Sequence, residues 1–313
     1  MTEDNAFDPL EIATVTVTFN PDIEQLRTQF AALPTDSLKL VVDNASQSQS
    51  LQDLRMLVSR TPNARLLCND ENLGLAAAIN RGVRTVHESV SPSPFVLLLD
   101  QDSEPMPGSI KALLAGFEAL KSRGERVACV GPALVDVTTG LPHGFHQSTR
   151  WRWIRIYPSQ DAKEPVPCVN LNGSGTLVRA SLFLELGGLE EALFIDHVDT
   201  EWAFRVQSRG YRLFGISQAI FRHRMGDASR RIWLFGWRVW PVRSPHRHYF
   251  LYRNTVILLR LSYVPRVWKI WAVAKLGITA CMTLATGPRR IAQLRSMAAG
   301  MRDAHSTAVG PKA

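Results

Sequence analysis

The sequence predicts an α/β fold, a mostly parallel sheet flanked by helices, followed by a helical and basic C-terminal appendage. Three observations carry that reading. Short β-branched or apolar runs alternate with segments of helical periodicity through the first hundred residues. Each of those runs stops on Asn or Asp. The charge is also unevenly split: from Trp202 onward there are 20 Lys and Arg against two acids, Asp227 and Asp303, whereas residues 1–201 carry 16 against 26.

Residues 12–19 are β-branched and stop at Asn20-Pro21, which reads as a strand. Ile23, Leu26, Phe30 and Leu33 recur at helical spacing. Residues 38–42 form a second strand ending on Asp43-Asn44, 51–58 a helix, and 64–68 a third strand before Asn69-Asp70. An Ala-rich helix is expected over 75–86 and a fourth strand over 95–99, which runs into Asp100-Gln101-Asp102. Strands alternating with helices imply crossover connections, and ligands of such sheets bind outside the carboxyl ends of the strands. The polar residues at four strand ends therefore converge on one expected crevice.

Beyond residue 230 the texture changes. Trp233, Phe235, Trp237, Trp240, Trp268 and Trp271 lie among Arg and Lys, and helices are expected from 245 to 302. The division expected is 1–230 for the α/β domain and 231–313 for a helical, membrane-associating region. Indole rings and cations suit the headgroup level of an anionic bilayer. Residues 267–286 are long enough to span a membrane, but Lys269 and Lys275 interrupt them, and mid-span charge is costly. A peripheral helix is expected there. No nucleic-acid motif accompanies the charge, so nucleic acid is not an expected partner.

Composition narrows the class further. A chain of 313 residues that is 45% hydrophobic can bury a core of ordinary size. Cys68, Cys129, Cys168 and Cys281 show no metal-finger spacing and read as free thiols. Residues 1–5 are acidic and polar, without the basic and apolar regions of a secretory leader, so a cytoplasmic setting is expected.

Two acidic motifs carry chemistry. Asp100-Gln101-Asp102-Ser103 sets two carboxylates one residue apart after a buried strand. Hard divalent ions such as Mg²⁺ or Mn²⁺ are commonly held by one or two carboxylates plus substrate phosphates, although Asx residues after strands also serve as plain turn formers. Asp196, Asp199 and Glu201 fall within six residues. One of them can take a proton from a hydroxyl, or all can simply favour a helix N-terminus.

Val17-Thr18-Phe19-Asn20, Val42-Asp43-Asn44-Ala45-Ser46, Asn72-Leu73-Gly74-Leu75-Ala76, Ala78-Ile79-Asn80-Arg81-Gly82 and Asp100-Gln101-Asp102-Ser103, in that order, resemble the inverting family 2 glycosyltransferases of the Rossmann-like GT-A fold. The Asp-Gln-Asp-Ser variant with 194–202 resembles their bacterial rhamnosyltransferase branch, and the likeness runs from 12 to 256. It implies that Thr18 and Asn20 border a nucleotide, that Asp43 binds its base or ribose, and that Asn72, Asn80 and Arg81 lie on the donor side, the last two toward the diphosphate. It implies that Asp100 meets ribose or metal, that Asp102 ligates the metal and that His223 completes its site. Asp199 is the implied base, with Asp196 as rival, and Arg253 would balance the diphosphate. Gly173, Glu201 and Trp202 would lie toward the acceptor, Glu201 alternatively anchoring its helix. The implied reaction is metal-dependent transfer with inversion, from dTDP-rhamnose or another sugar nucleotide such as a UDP-hexose to a glycan or lipid-linked glycan, at the inner face of the cytoplasmic membrane. A nucleotidyltransferase would be expected to carry a Gly-rich loop early in the chain, and 12–24 contain no glycine. A non-catalytic binder would have no need of Asp102.

Overall fold

The computed structural model describes residues 11–223, 228–233, 237–287, 289–307 and 309, with the backbone alone for 228–233 and 237–242. The chain runs β1 (Ile12–Thr18), α1 (Ile23–Ala32), β2 (Lys39–Asp43), α2 (Ser48–Ser59), β3 (Ala64–Cys68), α3 (Leu75–His87), β4 (Phe95–Asp100), β5 (Glu104–Pro105) and α4 (Ser109–Ser122). It continues with β6 (Val127–Asp136), β7 (Phe145–Ser148), β8 (Trp153–Ile156), β9 (Val166–Cys168), β10 (Thr176–Arg179), α5 (Ala180–Glu185) and α6 (Val198–Ser208). Then come β11 (Arg212–His223), the hairpin β12 (Ala228–Trp233) and β13 (Trp237–Val242), and α7 (Pro245–Arg260), α8 (Arg266–Thr286) and α9 (Arg290–Asp303). The helices expected before residue 100 and after 245 are present, whereas the β12–β13 hairpin replaces the featureless aromatic stretch of the sequence reading. Its Trp233, Trp237 and Trp240 side chains and Phe235 lie outside the described residues.

The main sheet has the order β3-β2-β1-β4-β10-β6-β11-β5, with β9 also paired to β11. β1, β2, β3 and β4 are mutually parallel, as are β6 and β11, while β10, β9 and β5 run antiparallel to their neighbours. Because β10 is antiparallel to both β4 and β6, those two point the same way. Thr18, Asp43, Asp100, Asp136 and His223 therefore all end their strands at one edge of the sheet. The loop before β10, 170–175, opens at that same edge.

Period-two alternation divides the core between the two faces. Ile12, Phe95, Leu97 and Leu99 pack with α1, α2 and α4 on one side. Ala13, Val15, Val17, Val96 and Leu98 pack with α3, α5 and α6 on the other. The second core also takes in Ile257 and Leu258 of α7 and Trp268 and Ala272 of α8, so these helices are built onto the sheet rather than appended to it.

One ion pair fastens α6 into that core. Arg205 Nε lies 2.8 Å from Glu201 Oε1, with side chains 9% and 1% exposed. The Arg205 guanidinium also donates to the Leu186 and Gly188 carbonyls, and the Tyr263 hydroxyl donates to Glu201 at 2.6 Å. Glu201 thus anchors its helix and has no free face toward an acceptor. Its neighbour Trp202 is 4% exposed and packs against Phe183 at 5.7 Å. Removing one partner of a buried pair leaves the other charge uncompensated. Glu201→Ala should therefore cost about 3–5 kcal/mol of stability, read as a lowered denaturant midpoint; an unchanged midpoint contradicts the anchoring role.

Candidate active site

The turn after β4 is pinned from below. Gln29 of α1 is buried, accepts from Thr16 Oγ1 at 2.9 Å, and donates through Nε2 to the Asp100 and Ser103 carbonyls at 2.8 and 2.7 Å. Ser174 of the 170–175 loop accepts from the Asp100 backbone N–H at 3.2 Å and bonds the Ser103 hydroxyl. β5 pairs with the end of β11, Arg222 opposite Glu104, and this register brings His223 to the turn.

His223 Nδ1 lies 3.2 Å from Asp102 Oδ1 and 3.1 Å from Ser103 Oγ, and Nε2 lies 3.9 Å from Asp100 Oδ2. One ligand atom from each of Asp100, Asp102 and His223 falls within 4.8 Å of the others. Burial works against a charged imidazole at His223, but its bond to Asp102 and the charges of Asp100, Asp102 and Asp136 outweigh that and raise its pKa. Asp100 is pushed up by burial and by Asp102, against the pull of His223 and Arg247. Two carboxylates that repel each other beside an imidazole make a donor set suited to a hard divalent cation.

The second acidic cluster stands on strained backbone. Phe194, Asp196 and His197 have φ of 64°, 61° and 66°, a conformation disfavoured for residues with side chains. α7 holds them there. Asn254, 0% exposed, sets its amide nitrogen 2.7–2.8 Å from the carbonyl oxygens of Leu193, Ile195 and Asp196. Arg253 orients that amide through Nε to Asn254 Oδ1 and donates to the Ala192 and Leu193 carbonyls. Phe250 stacks on Phe194 at 4.7 Å. From the other side, Leu75 N–H donates to the Phe194 carbonyl at 2.7 Å. Gly74 permits that approach, since a Cβ on it would fall 2.6 Å from the Phe194 ring.

Within this loop the two aspartates differ. Asp196 is gripped by Arg247 in a two-point bond of 2.8 and 2.9 Å. Burial alone would raise its pKa, yet Arg247, His197 and Arg243 hold it below the usual carboxylate range. Asp199 opens α6 and accepts from the Thr200 N–H at 2.8 Å. Burial, with help from the Asp100 charge, lifts it to about 6 against the bonds from Thr200 and Gly173. A carboxylate tuned to that range, and within electrostatic reach of Asp100, suits general-base work.

On the donor half, Thr18 Oγ1 donates to Asp43 Oδ1 at 3.0 Å, and the Ser46 N–H and hydroxyl donate to the same carboxylate. Asp43 is 0% exposed, so its carboxylate shapes the floor of the crevice. Asn20, at φ 47°, accepts from the Gln47 N–H and fixes the β1 turn to that of β2. Asn44, Asn69 and Asn72 form a chain of side-chain bonds at 2.9 Å, and Asn72 accepts from the Gly74 N–H. Asn72 therefore shapes the turn before α3, more than a plain cap would. Phe19, 48% exposed, has its N–H bonded to Gln101; both stand in the quoted motifs, but neither was given a role.

Several expected positions are corrected. Asn80 is buried, and its amide bonds both N–H and carbonyl of Leu189 and Glu191 Oε1, so it ties α3 to the 188–191 loop instead of facing a diphosphate. Arg81 donates to the Cys68 carbonyl and Asn69 Oδ1, supporting the end of β3. Arg253 is spent on the strained loop. Glu201 and Trp202 belong to the core, whereas Gly173 does lie beside Asp199, where an added Cβ would come 3.9 Å from the Asp199 Cβ. No role was foreseen for Arg247, Asn254, Gln29 or Ser174; the Arg253-Asn254 pair of α7 was the available signal for Asn254.

Comparison with known proteins bears on this arrangement. The sequence profile of Glycosyl transferase family 2 matches residues 25–187. The chain is 27% identical over 284 residues to the dTDP-rhamnosyl transferase RfbF of Shigella flexneri, covering 91% of this chain and 92% of that one. It is 26% identical over 253 residues to the N-acetylglucosaminyl-diphospho-decaprenol L-rhamnosyltransferase of Mycobacterium tuberculosis, covering 72% and 78%. Among solved structures, GalNAc-T7 with UDP, GalNAc and Mn²⁺ superposes with a TM-score of 0.60 at 15% identity, over 97% of this chain but only 57% of that one. TarS 1–349 of S. aureus gives 0.52 at 16% identity, over 94% and 80%. The fold is thus GT-A, and with the family profile matching more than half of its length, the chain belongs to glycosyl transferase family 2 and is a glycosyltransferase.

Proposed function

We propose that this enzyme is a metal-dependent inverting transferase that moves rhamnose from dTDP-rhamnose to a hydroxyl of a lipid-linked glycan. The observation that carries the reading is the pairing of Asp100, Asp102 and His223 with Asp199 across one crevice at the carboxyl edge of the sheet. The names of the Shigella and mycobacterial relatives support rhamnose as the sugar, and the diphospho-decaprenol of the latter supports a lipid-linked acceptor.

Asp100, Asp102 and His223 would hold Mg²⁺ or Mn²⁺, which supplies positive charge against the leaving diphosphate. Asp199 accepts the proton of the acceptor hydroxyl as its oxygen attacks the anomeric carbon. Asp196 keeps Arg247 in place. Gln29 and Ser174 fix the Asp100–Ser103 turn, so that donor and acceptor meet in line without loss of orientation. Thr18, Asn20, Asp43 and Asn72 shape the nucleotide side. Asp102→Ala should lose most turnover with dTDP-rhamnose and Mn²⁺, and excess EDTA should abolish it. Donor consumption in a panel that includes UDP-hexoses tests the sugar: faster turnover of a UDP-hexose overturns the donor, and full activity in EDTA overturns the metal.

The proposed location is the cytoplasmic face of the inner membrane, with α8 lying in the interface. Residues Arg266–Ala285 are long and apolar enough to cross a bilayer, with mean hydropathy 1.3. One side of α8, however, packs on the protein through Trp268, Ala272, Thr279 and Thr283, while Ile270, Trp271, Val273 and Ile278 are exposed. Lys269 donates to the Leu261 carbonyl at 2.8 Å. A helix with one face on its own domain and an apolar face outward suits in-plane binding. The enzyme should sediment with vesicles containing anionic lipid and be released by salt, because each base near such a surface contributes about 1 kcal/mol, screened by ions. Recovery in the supernatant with both neutral and anionic vesicles contradicts this location.

A further inference from the structure

A cluster of basic groups lies outside the metal-ligand set. The β7–β8 hairpin presents His143, His146 and Arg155, with Arg155 Nε 2.8 Å from His146 Nε2 and the two imidazoles 5.6 Å apart. α8 packs against β8 and brings Lys275 into electrostatic range of all three, and of Arg243 and His197. Lys275 has no hydrogen-bond or ion-pair partner among the described residues. The acid that faces the ammonium from this surround is Asp196, which Arg247 already engages. The cluster is short of negative charge. Burial and then Arg155 press His143 down to about 4 and His146 to about 3.

Its position gives the cluster a use. His146 pairs through its backbone with Asn170, and Asn170 Nδ2 donates to Thr200 Oγ1 at 3.2 Å, one residue from Asp199. The hairpin is thereby linked to the segment that carries the base, whereas the nucleotide side is built from the ends of β1, β2 and β4. At about 100° per residue, Ile270, Trp271, Val273, Ile278 and Leu284 form one continuous exposed apolar stripe on α8, and Lys275 sits at its border beside Trp271. A cation at the rim of an apolar stripe complements a molecule with an anionic head and a hydrocarbon tail.

We infer that His143, His146, Arg155 and Lys275 seat the phosphate or diphosphate of the acceptor, with the acceptor's hydrocarbon tail running along the exposed stripe of α8. This rests on the acceptor reading proposed above and extends it to a site. It sets the sugar hydroxyl near Asp199 by holding the group on the far side of that sugar. Arg155 and Lys275 supply the charge of this site, with His143 and His146 beside them as neutral imidazoles.

The test is calorimetric titration of the full chain with geranyl diphosphate in EDTA, where no metal can hold a diphosphate on the donor side. Lys275→Gln and Arg155→Gln should each weaken binding about tenfold, the loss expected for one charge-assisted contact, with circular dichroism unchanged. Lys275→Arg should retain affinity, and the remote surface change Arg84→Gln should have no effect. Inorganic pyrophosphate, lacking the tail, should bind at least about tenfold more weakly than geranyl diphosphate. Equal affinity of the Gln variants and the unmodified enzyme overturns the inference, and so does equal affinity for pyrophosphate. If the variants lose only their sedimentation with phosphatidylglycerol vesicles, the cluster is a membrane patch and the inference falls. Because this readout needs no turnover, loss of donor consumption with geranyl diphosphate binding intact counts against the transferase reading alone.

Discussion

The grip of α7 on the strained loop before α6 is the interaction on which the rest of the site depends. Left-handed backbone costs roughly 1–2 kcal/mol for each residue with a side chain, and Phe194, Asp196 and His197 all adopt it. Such a run persists only where its surroundings over-determine it. Asn254 meets three carbonyls of the loop, Arg253 two, and Phe250 one ring face. The kink turns the chain sharply enough for Asp196 to face Arg247 while Asp199 begins a helix toward the crevice. Two acids three residues apart thereby acquire opposite character, one locked in an ion pair and one lifted to about 6. α7 is for this reason part of the active site, although it follows the sheet in sequence.

The opposite wall obeys the same logic with different parts. Gln29 and Ser174 hold the backbone of the Asp100–Ser103 turn, which leaves the Asp100 and Asp102 carboxylates directed toward His223. The crevice is acidic at its centre, where charge of the opposite sign is required for a diphosphate to bind. The rim formed by the hairpin and α8 carries Arg155 and Lys275.

Much of the first hundred residues was legible because each strand is a short apolar run with an Asx stop, and the sheet brings those stops to one edge. The Asp-x-Asp turn was legible for that reason, whereas the roles expected of Asp199 and His223 came from the resemblance to family 2. Asn80 and Arg253 misled for a single reason: sequence shows a polar side chain but not its partner. The partner of Asn80 lies 109 residues away in Leu189, and that of Arg253 lies 60 to 61 residues away in the Ala192 and Leu193 carbonyls. For Glu201 the structure shows the second of its two expected roles, anchoring its helix through Arg205 and Tyr263, whereas Trp202, expected toward the acceptor, is buried against Phe183. The short strands β7 to β9 were invisible because three or four residues carry no readable period.

The division of labour between Asp196 and Asp199 is tested most directly by the pH dependence of kcat for three proteins: the unmodified enzyme and the variants Asp196→Asn and Asp199→Asn. A base must be ionised to act, so activity of the unmodified enzyme should fall as pH drops through about 6. Asp199→Asn should lose roughly 100-fold or more at neutral pH and show no such inflection. Asp196→Asn should keep the inflection, with its loss tracing to a loosened Arg247. An active Asp199→Asn that still titrates near 6, beside an inactive Asp196→Asn, would contradict the account and exchange the two roles.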